Sequence, residues 1–281
     1  MTQAAPATKF ETLKQRIVSA IVVAPSEFEL RQLHAEAKKL ANADSFGSVE
    51  LRAMLACIEG DVDEADRLYR GVLRATGNSG ERVFRFLMLL ASTGYSLRAG
   101  EVYREFVVLS ELAPQAREVV AKVLGYCGWA AESTMIRQEL AESGYEIDSG
   151  NVSDLNFATQ NDEGDDQFPR SVVLGAMLTD AKTLERIGVE DSWVADRVGD
   201  AIQFFRSRNT DVKAVRTYAT PRDDGNFGLL VNLYIDQTPE EAAESEWDLY
   251  GFMAERNPDL LAVEDVGFAA IGMQLKESHA N

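Results

Sequence analysis

Three glycines, Gly60, Gly94 and Gly128, stand 34 residues apart, and other residues keep the same interval: Ala65 is followed by Ala99, Tyr69 by Tyr103 and Met54 by Met88. A fixed period of this length points to stacked helical units, since one such unit can bury its apolar face only against a neighbour. Around the glycines the apolar residues keep helical spacing. They predict helices over 48–58 and 62–76, closed by Gly77, then 81–92 and 97–112, then 114–126 and 130–143, closed by Gly144. The third unit departs from the other two, with Ser133 and Arg137 in place of the alanine and tyrosine.

The set of Gly60, Gly94 and Gly128 with Ala65, Ala99, Tyr69 and Tyr103 resembles the tetratricopeptide repeat (TPR) family over about residues 10–144. The resemblance implies that the glycine lets the first helix of each pair turn tightly, that the alanine lets two helices approach, and that the tyrosine fills the space between repeats. It also implies a binding surface rather than a reaction. In TPR-like stacks the first helix of each pair lines a concave groove, and here its inward places are Glu50, Met54, Phe84, Met88, Glu118, Lys122 and Tyr126. Methionines and aromatics edged by acids suit an apolar peptide that carries Lys or Arg. The Lys and Asn set that clamps a C-terminal carboxylate in some TPR proteins is lacking. Packing beneath the first helical pair, or against the rest of the chain, is the competing use of these seven positions.

Ahead of the repeats, Met1 to Thr8 reads as a frayed end. Phe10, Leu13, Ile17, Ile21 and Val22 keep helical spacing up to Pro25, and Ser26 with Glu29 forms a capping box for a second helix ending near Leu40. The signature places there hold Ser26, Arg31 and Ala35, which makes this pair a degenerate capping repeat.

The pattern changes after residue 144. Residues 145–169 read as an acidic linker; Asn161 to Asp166 lacks the alternating ligands and later Glu of a calcium-binding loop. A strand is predicted over 171–177, and a helix over 179–207, broken near Gly188, with Trp193, Val194, Val198, Ile202 and Phe205 as its apolar stripe. Strands over 212–220 and 227–236 are joined by an Asp-Gly turn within 221–226. Thr238, Pro239 and Glu241 mark a helix start. That helix runs to Arg256 with Ala243, Trp247, Tyr250 and Met253 on one face, and a last strand covers 266–273. The order β-α-β-β-α-β is that of a ferredoxin-like sandwich, two helices on one face of a four-stranded antiparallel sheet. Its free face would hold Leu230, Asn232 and Tyr234, with Lys213, Val215 and Thr217 beside them, for a homodimer contact or for docking on the repeats. The expected fold class is therefore multidomain, α followed by α+β: a TPR-like helical hairpin array at 1–144, a linker at 145–169 and an α+β domain at 170–281.

Charge narrows the partners. The net charge is −18, of which −4 falls at or before Gly150 and −14 after it. Such a field repels phosphate backbones and anionic lipid, so no direct nucleic-acid or membrane binding is expected and a basic protein partner is favoured. No eighteen apolar residues run together and the apolar run Ile17 to Val23 is too short for a leader's core, so a cytoplasmic address is expected. Cys57 and Cys127 fall at the ends of predicted helices and read as small buried apolar residues. His34 and His279 are the only histidines, no nucleophile arrangement accompanies them, and no phosphate-cradling glycine motif is present. No catalytic residue, cofactor or metal ligand is assigned. The reading is an adaptor, chaperone or antitoxin-like inhibitor that holds a partner protein in the helical groove. The rival is a metal-dependent phosphoryl-transfer or nuclease enzyme using Asp223, Asp224, Asp236, Glu240 and Glu241, although turns and helix starts select the same residues for their own stability.

Overall fold

Helix-forming segments dominate the computed structural model, which describes residues 6–77, 80–146, 177–178, 181–221, 227–256 and 266–274. Among these residues there are eleven α-helices and one small mixed sheet. The helices are α1 (Pro6–Val22), α2 (Glu27–Leu40), α3 (Ser45–Ile58), α4 (Val62–Thr76), α5 (Gly80–Ser92), α6 (Ser96–Phe106), α7 (Pro114–Tyr126), α8 (Ala130–Glu142), α9 (Ala181–Ile187), α10 (Asp191–Ser207) and α11 (Pro239–Arg256). None is long and apolar enough to cross a membrane. Most of the expected linker, most of the strand at 171–177, the turn at 222–226 and His279 lie outside the described residues.

Local sequence explains where the helices begin and end. Ser26 accepts from the Glu29 N–H while Glu29 bonds back to the Ser26 N–H at 2.9 Å, so α2 starts on a complete capping box. α3, α5 and α7 end on one recurring turn. Tyr95 N–H reaches Leu90 O at 2.8 Å and Trp129 N–H reaches Leu124 O at 2.9 Å, the bond of a Schellman cap, and Asp61 does the same to Ala56 O. That cap needs a left-handed residue, supplied by Gly94 at φ +80° and Gly128 at φ +83°. α3 then packs on α4, α5 on α6, and α7 on α8. Ala65, Ala99, Tyr69 and Tyr103 are all buried, and Tyr69 stacks on Phe86 with ring centroids 4.2 Å apart. Such a pair adds about 0.5–1.5 kcal/mol to the burial itself. α6 stops six residues short of the expected end: Val107 takes an extended conformation, and Leu109–Glu111 forms a separate 3-10 turn.

The sheet comprises β1 (Met177–Leu178), β2 (Val212–Pro221), β3 (Phe227–Ile235) and β4 (Val266–Gly272) in the order β1-β2-β3-β4. β1 and β3 run antiparallel to β2, but β4 runs parallel to β3. The expected all-antiparallel sheet is thus corrected to a mixed one. A short connection makes β2 and β3 a hairpin, whereas α11 carries the chain back along the sheet before β4 begins, and β4 settles directly beside β3 with no strand between. Leu229, Val231, Leu233 and Ile235 are buried along one face of β3, and Val215 and Phe268 of the neighbouring strands join the same hydrophobic cluster as α10 and the N-terminal helices.

Two further expectations change. Val212 pairs with Ile235, but Ala214 pairs with Tyr234, so one extra residue, Lys213, bulges from β2. Without it Lys213, Val215 and Thr217 would lie opposite Tyr234, Asn232 and Leu230. With it those places go to Ala214, Arg216 and Tyr218, and Val215 turns to the core face. On α11 the buried residues are Ala242, Leu249 and Met253, while Trp247 is 81% exposed. Tyr250 instead reaches the outer edge of β4, where its hydroxyl donates to Phe268 O at 2.7 Å and accepts from the Phe268 N–H at 3.0 Å. Glu246 accepts from the Ala270 N–H at 2.8 Å.

Candidate partner-binding surface

The seven groove positions divide by burial. Phe84, Met88 and Lys122 are half-buried, whereas Glu50, Met54, Glu118 and Tyr126 are buried. A carboxylate as enclosed as Glu50, 1% exposed, must be paired. It accepts from Tyr69 Oη at 2.9 Å and Arg85 Nε at 2.5 Å, with Arg82 Nε at 3.4 Å. Burial works against the Arg85 charge, but the hydrogen bond and charge of Glu50 raise its pKa; burial and then Glu50 hold the Tyr69 hydroxyl well above the ordinary tyrosine value. Glu50 therefore ties α3 to α4 and α5. Met54 is a member of the hydrophobic core.

On α7, Glu118 accepts from Tyr145 Oη at 2.9 Å and lies 3.3 Å from Lys122 Nζ. Tyr126 donates to Val212 O at 2.8 Å, so the end of α7 holds the first residue of β2. Arg137, which stands where the other units have tyrosine, has an Nε without a hydrogen-bond partner; burial and then the charge of Arg216 lower its pKa. Phe84 and Met88 on α5 remain as the apolar positions of the set with surface to offer.

A second set of contacts comes from α10, which lies across the turns that end α5 and α7. Arg206 Nη1 donates to Thr93 O at 3.0 Å and Gln203 Nε2 to Gly94 O at 3.1 Å. Both carbonyls lie in the turn that follows Ser92, the last residue of α5. A Cβ on Gly94 would lie 2.9 Å from Gly199 O, and one on Gly128 would lie 2.7 Å from Val198 Cγ2, so the same glycines that make the turns also admit α10. α8 has no side-chain cap of its own at Trp129. Asp191, at the start of α10, supplies it: Oδ1 accepts from the Ala131 N–H and Oδ2 from the Glu132 N–H, each at 3.0 Å. Burial raises the Asp191 pKa, against the lowering effect of these bonds. The sequence signal for Asp191 is an acid at a helix start, which reads as a cap for its own helix; nothing local indicates that it serves another.

Of the carboxylates proposed for metal chemistry, Asp236, Glu240 and Glu241 lie within the described residues. Asp223 and Asp224 lie outside the described residues. Asp236 accepts from Gln274 Nε2 at 2.9 Å, and Glu241 is the capping-box partner of Thr238, with the Thr238 N–H at 3.0 Å. Among the described residues no group of three or more His, Cys, Asp or Glu side chains is placed to hold a metal ion. Cys57 and Cys127 are free and buried, and burial pushes their thiols up to about 11 and about 12 respectively. Comparisons of the chain with protein-family models, with curated proteins and with solved structures return no match.

Proposed function

We propose that this chain is a cytoplasmic adaptor of TPR-like construction, which holds a partner protein along the face formed by the first helices of its hairpins. The observation that carries the reading is the recurrence of one turn: α3, α5 and α7 all close on a left-handed glycine at 34-residue intervals, each followed by a partner helix packed against it. Repeated hairpins of this kind present extended surfaces rather than reaction centres. Phe84 and Met88 supply the apolar contact on α5, and the charge of −18 favours a basic partner by speeding encounter. A chaperone, an antitoxin-like inhibitor and an assembly factor all act in this way.

Affinity capture from the host with the full chain as bait, read by mass spectrometry, tests the reading. Met88→Glu combined with Phe84→Ser alters half-buried positions and should lose a defined protein partner that the parent chain retains. Recovery of the same proteins by both baits would refute it. Met54→Glu is unsuited to this purpose, because Met54 is 5% exposed and its replacement would unfold α3.

A further inference from the structure

Between α10 and α11 lies an open cleft of about 480 Å³ that the hairpin face does not reach. Its floor is Phe204 and Phe252, with ring centroids 5.3 Å apart. Trp247 stands at one side, and Gly251, one turn further along α11, leaves a notch where an added Cβ would meet no atom within 4 Å. Asp248 and Glu255 line the cleft, and Glu244 shares their helix face by its spacing from Trp247 and Asp248. α11 as a whole carries six acidic residues and one basic residue. Trp247, 81% exposed, thus offers its ring to solvent beside this aromatic floor.

The chain itself displays the chemistry this cleft accepts. The Arg208 guanidinium lies 3.9 Å from the Phe204 ring centroid while bonding Asp248 Oδ2 at 3.0 Å, and Arg256 lies 5.6 Å from the Phe252 ring. Each floor ring thus already carries an internal cation. Among the described residues Trp247 carries none, although tryptophan offers the strongest cation–π face of the three aromatic types. Glu255 likewise has no hydrogen-bond or ion-pair partner among the described residues. We infer that the cleft is a docking site for a basic segment of a partner protein, which lays an Arg or Lys over Trp247 between the acids of α11 and sets an adjacent aliphatic side chain into the Gly251 notch. Nucleic acid and anionic membrane are unsuited to it because the same acids would repel them. The site lies on different elements from Phe84 and Met88 and stands independently of the groove.

The test uses the full chain and a fluorescein-labelled, terminally blocked dodecapeptide of four Leu-Arg-Ala repeats, read by anisotropy at 50 and 300 mM salt. Controls are the peptides with Glu for Arg and with Ala for Leu. Expected is saturable binding of the first peptide that weakens with salt, and weaker or no binding of both controls. Trp247→Ala should weaken it about tenfold, the size of a desolvated cation–π contact. Glu244→Gln with Glu255→Gln should flatten the salt dependence. Gly251→Leu should fill the notch and abolish binding without lowering the melting temperature, since it replaces a helix-interior glycine. Because the hairpin face also suits an apolar basic peptide, Met88→Glu separates the two sites: affinity that falls with Met88→Glu but not with Trp247→Ala would place the peptide on the hairpin face and overturn the proposal. The proposal is overturned if the Arg peptide shows no saturable binding up to 1 mM, if the Glu peptide binds as tightly, or if either Trp247→Ala or Gly251→Leu leaves the affinity within about twofold of the parent.

Discussion

Replacing Asp191 by alanine removes two hydrogen bonds of 3.0 Å from the first turn of α8. Loss of a helix cap costs about 0.5–2 kcal/mol, and a buried donor left without a partner costs about 1–3 kcal/mol. Against this stands the relief of no longer burying a carboxylate, the same effect that raises its pKa. The two N–H groups are part-buried and adjacent, so a net loss of about 2 kcal/mol follows. Asp191→Asn keeps one acceptor oxygen and should lose about half of that. Urea denaturation at pH 7, followed by circular dichroism and tryptophan fluorescence, reads the difference as a shift in midpoint at constant slope. A loss in the alanine variant below about 0.5 kcal/mol would refute the trans-capping role, since that is the scatter of ordinary surface changes. The pH dependence supplies a second check. Because the folded pKa is raised above the usual 3.8, the native state holds this proton more tightly than the unfolded chain. That contribution is complete below 3.8 and is lost as pH rises through the folded value. The stability gap between the parent and Asp191→Asn should therefore narrow from pH 4 towards pH 7, and a gap that widens over this window would contradict the burial of the carboxyl.

Two other outcomes follow from the packing. Gly128→Ala should cost more than Gly77→Ala: both residues have positive φ, which costs about 1–2 kcal/mol with a side chain, but only the Gly128 Cβ would also meet Val198, at 2.7 Å. Equal losses for the two variants would show that α10 does not press on the turn. Cys57 and Cys127, with thiols pushed up to about 11 and about 12, should react with a disulfide reagent at pH 8 only after the chain is unfolded, and rapid labelling of the native chain would show the core to be open there.

Features whose chemistry closes within three or four residues were legible in the sequence. The capping boxes of Ser26 with Glu29 and Thr238 with Glu241 were readable because both partners sit in one helical turn. The turn glycines were readable because their spacing recurs. Features set by a distant neighbour were not. Nothing around Lys213 announces an extra residue in the ladder, yet that one residue exchanges the two faces of β2. Glu50 looked like an edge acid because it is charged, and only the arrival of Arg85 and Tyr69 from two other helices makes its burial tolerable. Trp247 looked like core because it is large and correctly spaced, whereas Leu249, two residues on, takes the buried place. Of the candidate groove, Phe84 and Met88 keep exposed surface, and Tyr126 is taken by the strand it helps to hold.

The side chains laid along β4 bear on self-association. A strand at the rim of a sheet ordinarily offers a row of free N–H and C=O groups that a strand from another molecule can extend, the first step towards edge-joined dimers or fibrils. On β4, one tyrosine hydroxyl occupies both backbone groups of Phe268, and one carboxylate occupies the N–H of Ala270. To pair with Phe268 and the Ala270 N–H, an incoming strand would have to break three hydrogen bonds and displace two residues of α11, so extension of the sheet through the middle of this rim is opposed while α11 stays folded against it.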